Sequence, residues 1–113
     1  MLWGCYMKKW DYVAGIIDGE GTITIVNRIS KTKLNWKNRN SYCVVLSITT
    51  TTPALVRWFK VYKPQYVHIR DRNRHHAISY TLTWMGPAAS RLIDACLDSL
   101  VIKKKQALVA LRF

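Results

Sequence analysis

The sequence predicts an α+β domain of element order αββαββαα, in which a four-stranded antiparallel sheet carries helices on one face and leaves the other face open. Three observations lead there. The residue period changes from helical spacing over 11–17 to strict alternation at Thr22-Ile23-Thr24-Ile25. A helix followed by strand-like segments then recurs, and two further helical patterns close the chain. Finally, a length of 113 residues, 50% of them hydrophobic, suffices for one packed domain spanning 1–113 and is too apolar for intrinsic disorder.

Asp11 reads as the N-cap of a short helix through Tyr12-Val13-Ala14-Gly15-Ile16-Ile17, stopped by Gly19 and Gly21. In the following strand, β-branched throughout, Ile23 and Ile25 point inward and Thr22 and Thr24 outward. Residues 27–41 are polar, basic and nearly free of aliphatic side chains, and read as a loop or extended hairpin tip. From Tyr42 to Thr50, Val44, Leu46 and Ile48 share one face of a second strand, while Cys43, Val45, Ser47 and Thr49 share the other. Thr52-Pro53 starts a helix with the apolar stripe Leu55, Val56 and Phe59, and Lys63-Pro64 ends it. A third strand near Tyr66–Arg70 precedes a charged turn, Asp71-Arg72-Asn73-Arg74. In the fourth strand Ile78, Tyr80, Leu82 and Trp84 alternate with Ser79, Thr81 and Thr83, so that one face is buried and one polar. Gly86-Pro87 opens a helix carrying Leu92, Ile93, Cys96, Leu97 and Leu100. A last helix from about Ile102 carries Leu108 and Leu111 behind Lys103-Lys104-Lys105.

Lys and Arg number 18 against 6 Asp and Glu, a formal net charge of +12. Such an excess on a small domain favours a polyanionic partner. Nucleic acid stands ahead of a membrane surface because the cations are scattered rather than laid along one amphipathic helix. No apolar run reaches the ~18 residues of a bilayer crossing, and Lys8-Lys9 with Asp11 interrupts a secretory signal. The expectation is a soluble protein of cytoplasm or organelle matrix that is not secreted. Cys5, Cys43 and Cys96 form no CxxC and no Cys/His cluster, so reduced thiols are expected rather than a zinc site or disulfide framework. Adjacent His75 and His76 would face opposite ways on a strand and make a poor metal pair. The open sheet face would comprise Thr22, Thr24, Val26, Arg28, Cys43, Val45, Ser47, Thr49, Ser79 and Thr81. A face so small, polar and basic, beside a basic loop, suits the DNA major groove, and an ordinary solvated sheet face is the plainer alternative.

Gly15 and Gly19 lie four residues apart, on one side of the first helix, where with Ala14 they let another backbone approach closely. Each costs about 0.5–1 kcal/mol against Ala inside a helix, and a plain C-cap role for Gly19 is the alternative. Two of the six acidic residues, Asp18 and Glu20, stand at this helix's C-terminal end, where the helix dipole disfavours carboxylates. In a chain that binds a polyanion they require compensation. A divalent cation between carboxylate and phosphate supplies it, which is the arrangement of metal-dependent phosphodiester hydrolysis. The plainer readings are a local backbone hydrogen bond for Asp18 and a solvated turn for Glu20.

The segment Val13-Ala14-Gly15-Ile16-Ile17-Asp18-Gly19-Glu20-Gly21 resembles the LAGLIDADG motif of homing endonucleases, seven of nine positions being identical or aliphatic for aliphatic. The strand start at Thr22-Ile23, the element order, and Arg57-Trp58-Phe59 and Lys105-Gln106-Ala107 extend the similarity over nearly the whole chain. With one motif, the chain resembles the homodimeric subclass. The resemblance implies that Val13, Ala14, Gly15, Ile17 and Asp18 form the dimer interface, two motif helices packing through their small residues. It also implies that Glu20 binds Mg²⁺ (or Mn²⁺) beside a scissile phosphate, that a Gly19 backbone carbonyl adds a ligand, and that Lys103 takes the place of a lysine near that phosphate. The implied activity is a double-strand break in a long near-palindromic DNA target.

DNA contacts would then come from Thr24, Val26, Cys43, Val45, Ser47, Thr49, Ser79 and Thr81 on the open face. Arg28, Arg70 and Arg72 would be base readers, since bidentate Arg to guanine is the commonest specific contact, and Ser30, Lys31, Lys33, Lys37 and Arg39 would act from the loop. A departure lies at Thr49–Val56, where similar enzymes place a polar Gln and an Arg and this chain has Thr51, Thr52 and Val56, with Arg57 next in line. Two other readings stand beside the endonuclease. One is a non-catalytic nucleic-acid-binding protein of the same fold, an RNA intron maturase or a DNA-binding regulator. The other is a basic β-rich RNA-binding protein of ribosomal type, which gives no reason for Asp18 and Glu20 at a helix end.

Overall fold

The computed structural model describes residues 9–30, 39–71 and 78–113. Helix α1 (Lys9–Glu20) leads directly into strand β1 (Gly21–Ser30), which pairs antiparallel with β2 (Arg39–Thr50). Helix α2 (Pro53–Phe59) follows, then β3 (Tyr66–Arg70), β4 (Ser79–Met85), α3 (Pro87–Cys96) and α4 (Lys104–Ala110). Short 3₁₀ turns at Lys60–Tyr62 and Leu97–Ser99 extend α2 and α3. The sheet has the order β1-β2-β4-β3 and all its pairings are antiparallel. The predicted α+β architecture is the observed one.

Several boundaries differ from the sequence reading. Asp11 lies inside the first turn of α1, where a carboxylate complements the helix dipole, and it accepts a hydrogen bond from Ser99 Oγ. Helix α1 continues through Gly15 and Gly19, because its buried residues Val13, Ala14 and Ile17 gain more from packing than the glycines lose in propensity. The 27–41 segment, read as a loop or extended hairpin tip, is strand at both ends, with Asn27 opposite Tyr42 and Ser30 opposite Arg39, as an extended hairpin requires. Backbone pairing there needs no buried side chain, so hydrophobic alternation does not reveal it. Ile78 stands just ahead of β4 and is exposed. In α4 the inward residues are Ala107 and Ala110, whereas Leu108 is exposed, since the helix lies close to its neighbours through small side chains.

The core fills the space between the helices and one face of the sheet. Leu46, Ile48, Leu82 and Trp84 project from the two central strands onto Ile17, Phe59 and Ile93, all buried. Trp84 keeps its indole N–H paired by donating to the Tyr62 carbonyl at 3.0 Å, and its ring meets Phe59 edge to face at 6.0 Å. Burial pushes the Cys96 thiol up to about 11, which makes it an inert core group. Directly after β4, Gly86 takes φ +63°, a conformation side chains disfavour, and its N–H donates to the Val44 carbonyl at 2.8 Å.

The junction between α1 and β1 is tight. A Cβ on Gly21 would sit 2.8 Å from both Cα and the carbonyl oxygen of Ile17. Gly21→Ala is therefore expected to destabilise the domain by about 1–3 kcal/mol through overpacking against backbone that cannot rotate away. A urea titration reads this as a lower midpoint at unchanged slope.

Candidate functional site

The C-terminal end of α1 meets the segment that precedes α4. The Asp18 carboxylate accepts three backbone hydrogen bonds there, from Val101 N–H at 2.8 Å, Ile102 N–H at 3.1 Å and Lys103 N–H at 2.9 Å. In return Lys103 Nζ donates to the Asp18 carbonyl oxygen at 2.7 Å. That carbonyl is among the last of the helix, where intrahelical donors run out and the dipole favours a cation. Partial burial pushes the Asp18 carboxyl up, but the three N–H bonds and the Lys103 charge outweigh it and hold the group below the usual carboxylate value. Asp18 is thus turned into its own chain.

Glu20, two residues on, is exposed at the helix end, immediately before β1. It borders an open groove of about 420 Å³ together with Tyr12, Ile16, Thr50, Thr52 and Trp58. Glu20, Ile16 and Tyr12 recur at i, i−4 and i−8 and so form one stripe of α1. Tyr12 and Trp58 meet edge to face at 4.7 Å across the groove. Sequence reading missed Tyr12, Ile16 and Trp58, although the four-residue spacing back from Glu20 was available to find the first two.

The five residues assigned to a helix-to-helix interface differ in their surroundings within the chain. Val13, Ala14 and Ile17 are 0% exposed within the single chain and belong to its core. Asp18 holds the 101–103 segment. Gly15 is exposed on the outer side of α1 beside Gly19. A Cβ at either glycine would meet nothing within 4 Å.

The open face of the sheet is organised in rows by the strand register. Thr22 stands opposite Ser47, which stands opposite Thr83, opposite Tyr66. A second row runs Thr24, Val45, Met85, and a third Thr49, Thr81, His68. Val26 faces Cys43, and Arg70 faces Ser79. Thr24, Val26, Thr49 and Arg70 are exposed, while Cys43, Val45, Ser47, Ser79 and Thr81 are half-buried. The Thr49 and Thr81 hydroxyls lie 3.2 Å apart in a hydrogen bond between strands. The backbones of Arg28 and Ser30 lie on β1 and that of Arg39 on β2. Lys31, Lys33, Lys37 and Arg72 fall outside the described residues. Tyr66 and His68 on β3 also face this surface and were not assigned from sequence. Their two-residue spacing from Arg70 was the available signal.

Among the described residues, no group of three or more His, Cys, Asp or Glu comes together, and no helix is long and apolar enough to cross a membrane. The donors at the end of α1 are one carboxylate, Glu20, and helix-end carbonyls such as that of Gly19. This set suits Mg²⁺, which takes one or two carboxylates plus substrate phosphates and keeps several waters.

No family model and no curated protein matches the chain. Solved structures do. The homing endonuclease I-CvuI in complex with its target superimposes with a TM-score of 0.65 at 20% identity, covering 92% of this chain and 64% of that one. The archaeal intron-encoded homing endonuclease I-Vdi141I, complexed with DNA, gives 0.65 at 16% identity, with 90% and 64% covered. The LAGLIDADG homing endonuclease I-GzeII, in complex with its DNA target, gives 0.55 at 19% identity, covering 86% of this chain and 31% of that one. The chain therefore spans 64% of the length of the first two. At these identities the likeness is one of architecture. This chain has the LAGLIDADG homing endonuclease fold.

Proposed function

We propose that the chain is a site-specific double-strand DNA endonuclease that works as a homodimer with Mg²⁺ or Mn²⁺ on a long near-palindromic target. The observation that carries this reading is an exposed Glu20 carboxylate at the end of α1, with Lys103 held two residues away and an open polar sheet face beginning next to it. The fold's occurrence in proteins solved on DNA supports the choice of substrate, and structures of I-CvuI on DNA with Mg or Ca agree with a divalent ion. A cation at Glu20 would supply an activated water and charge stabilisation for the leaving oxygen. The Glu20 carboxylate would bind it, with a Gly19 carbonyl as a further ligand. Lys103 would hold positive charge at the phosphate.

Two copies related by a twofold axis would supply one carboxylate per strand and favour a near-palindromic site. Gly15 and Gly19, open on the outer side of α1, are the surface through which the two helices would meet, with Tyr12 and Ile16 flanking it. The open sheet face would lie over the major groove. Arg70, exposed opposite Ser79, would read a base. Arg70→Ala is expected to relax sequence preference at one position per half-site, at a cost of about 1–3 kcal/mol. Binding measured over a panel of single-base variants checks this, and uniform weakening across the panel would make Arg70 a phosphate contact instead.

One observation favours the alternative of a non-catalytic binder, whether an RNA intron maturase or a DNA-binding regulator. The groove beside Glu20 carries Tyr12, Ile16, Thr50, Thr52, Ala54, Leu55 and Trp58, and no basic or amide side chain from α2 lines it, Val56 being buried in the core. The two readings separate when a pooled random duplex library is incubated with the protein and Mg²⁺ and cut ends are sequenced. The endonuclease gives recurrent cuts on both strands of one near-palindromic site that disappear with EDTA. Enrichment of a bound site without cuts would assign the chain to binding.

A further inference from the structure

Residues Val101 to Lys103 form a bend without helix or strand pairing, and apolar packing does not hold it: Val101 is 82% exposed and Ile102 74% exposed. Its described anchor is the Asp18 carboxylate, which collects all three consecutive backbone N–H groups. Three successive amides converging on one anion fix the direction in which the chain leaves Leu100 and enters α4. Lys103 is then tied twice to the same residue, through its N–H to Asp18 Oδ1 and through Nζ to the Asp18 carbonyl oxygen. A flexible four-carbon side chain is thereby confined to one place, beside the terminal carbonyls of α1 and two residues from Glu20.

We propose that Asp18 is a positioning residue: by clamping the 101–103 backbone it sets the Lys103 ammonium at the Glu20 end of α1. This rests on the endonuclease reading for its kinetic consequence, but not for its geometry. A carboxylate whose function is only to anchor α4 would act equally with or without the lysine. A positioning carboxylate acts through Lys103 alone.

The test is a double-mutant cycle in cleavage of the recovered target under Mg²⁺, with Asp18→Ala, Lys103→Met and the pair. Asp18→Ala is expected to lower kcat on the order of ten- to a hundredfold, as loss of a residue supporting a site commonly does, with KM and DNA affinity within about twofold. The double variant should be no slower than Lys103→Met. Losses that multiply would overturn the proposal, as would a fall in affinity that accounts for the rate. If Asp18→Ala does not fold, Asp18→Asn, which keeps one acceptor oxygen, replaces it in the cycle with the same two outcomes.

Should the wild-type chain cut no DNA, the endonuclease reading fails and the positioning is read directly. The Lys103 ammonium should give a resolved ¹H–¹⁵N signal in wild type that is lost in Asp18→Ala or Asp18→Asn. A signal absent from wild type, or unchanged in the variant, would overturn the proposal independently of catalysis.

Discussion

Glu20→Gln is expected to reduce DNA cleavage by about a thousandfold or more while target affinity stays near that of the wild type. Gln has the size of Glu and offers one neutral oxygen, so the shape of the helix end survives and the charge that would hold a divalent ion does not. Metal-ion stabilisation of developing charge is worth several kcal/mol, and at ~1.36 kcal/mol per tenfold this gives the expected loss. Glu20 is exposed and is not part of the core, so folding should be untouched. Single-turnover cleavage and a binding titration in Ca²⁺ separate the two effects. Undiminished cleavage would remove Glu20 from the chemistry. Lost binding with proportionate loss of rate would make it a contact rather than a ligand.

Gly15→Leu is expected to convert the proposed dimer to monomer. A Cβ at Gly15 meets nothing within 4 Å inside its own chain, so the isolated fold accommodates a side chain there. Across a twofold axis two leucines would meet where the reading places two helix backbones. Overpacking costs about 1–3 kcal/mol per site, so the pair costs roughly 2–6 kcal/mol. Even the lower figure weakens dimerisation about thirtyfold at ~1.4 kcal/mol per tenfold. Sedimentation at micromolar protein should show half the wild-type mass with an unchanged circular dichroism spectrum. An unchanged dimeric mass would refute contact through this face of α1.

The pattern of residues carried the fold further than the site. Alternation in Tyr42–Thr50 and Ser79–Trp84 is strong because each strand buries one row on the helices, and the observed faces agree with it. The hairpin arms beyond Asn27 and before Tyr42 read as a loop or extended hairpin tip because Ile29 is their only aliphatic residue and gives no alternation, while their pairing is a matter of backbone. In α1 the chain offers two sets of small or apolar residues. Val13, Ala14 and Ile17 form one, and Tyr12, Gly15, Ile16 and Gly19 the other. Hydrophobicity does not say which set meets the sheet, and in the fold it is Val13, Ala14 and Ile17 that the core buries. The Asp18 contact with 101–103 joins residues more than eighty positions apart, a separation for which helical or strand periods carry no information. Glu20 stands out in the sequence because the helix dipole disfavours a carboxylate at a helix C-terminal end and the chain has only six acidic residues in all.

The most direct test of one carboxylate per chain and one strand per carboxylate is cleavage by mixed dimers. Wild-type and Glu20→Gln chains carrying different tags are co-expressed, the mixed species is isolated, and its products on a supercoiled plasmid bearing the recovered target are resolved on a gel. The expected result is nicked circles, with linear product only from the wild-type dimer and neither from the double variant. Linear DNA from the mixed dimer at the wild-type rate would contradict a site built from Glu20 of each copy, and so would cutting by the doubly substituted dimer.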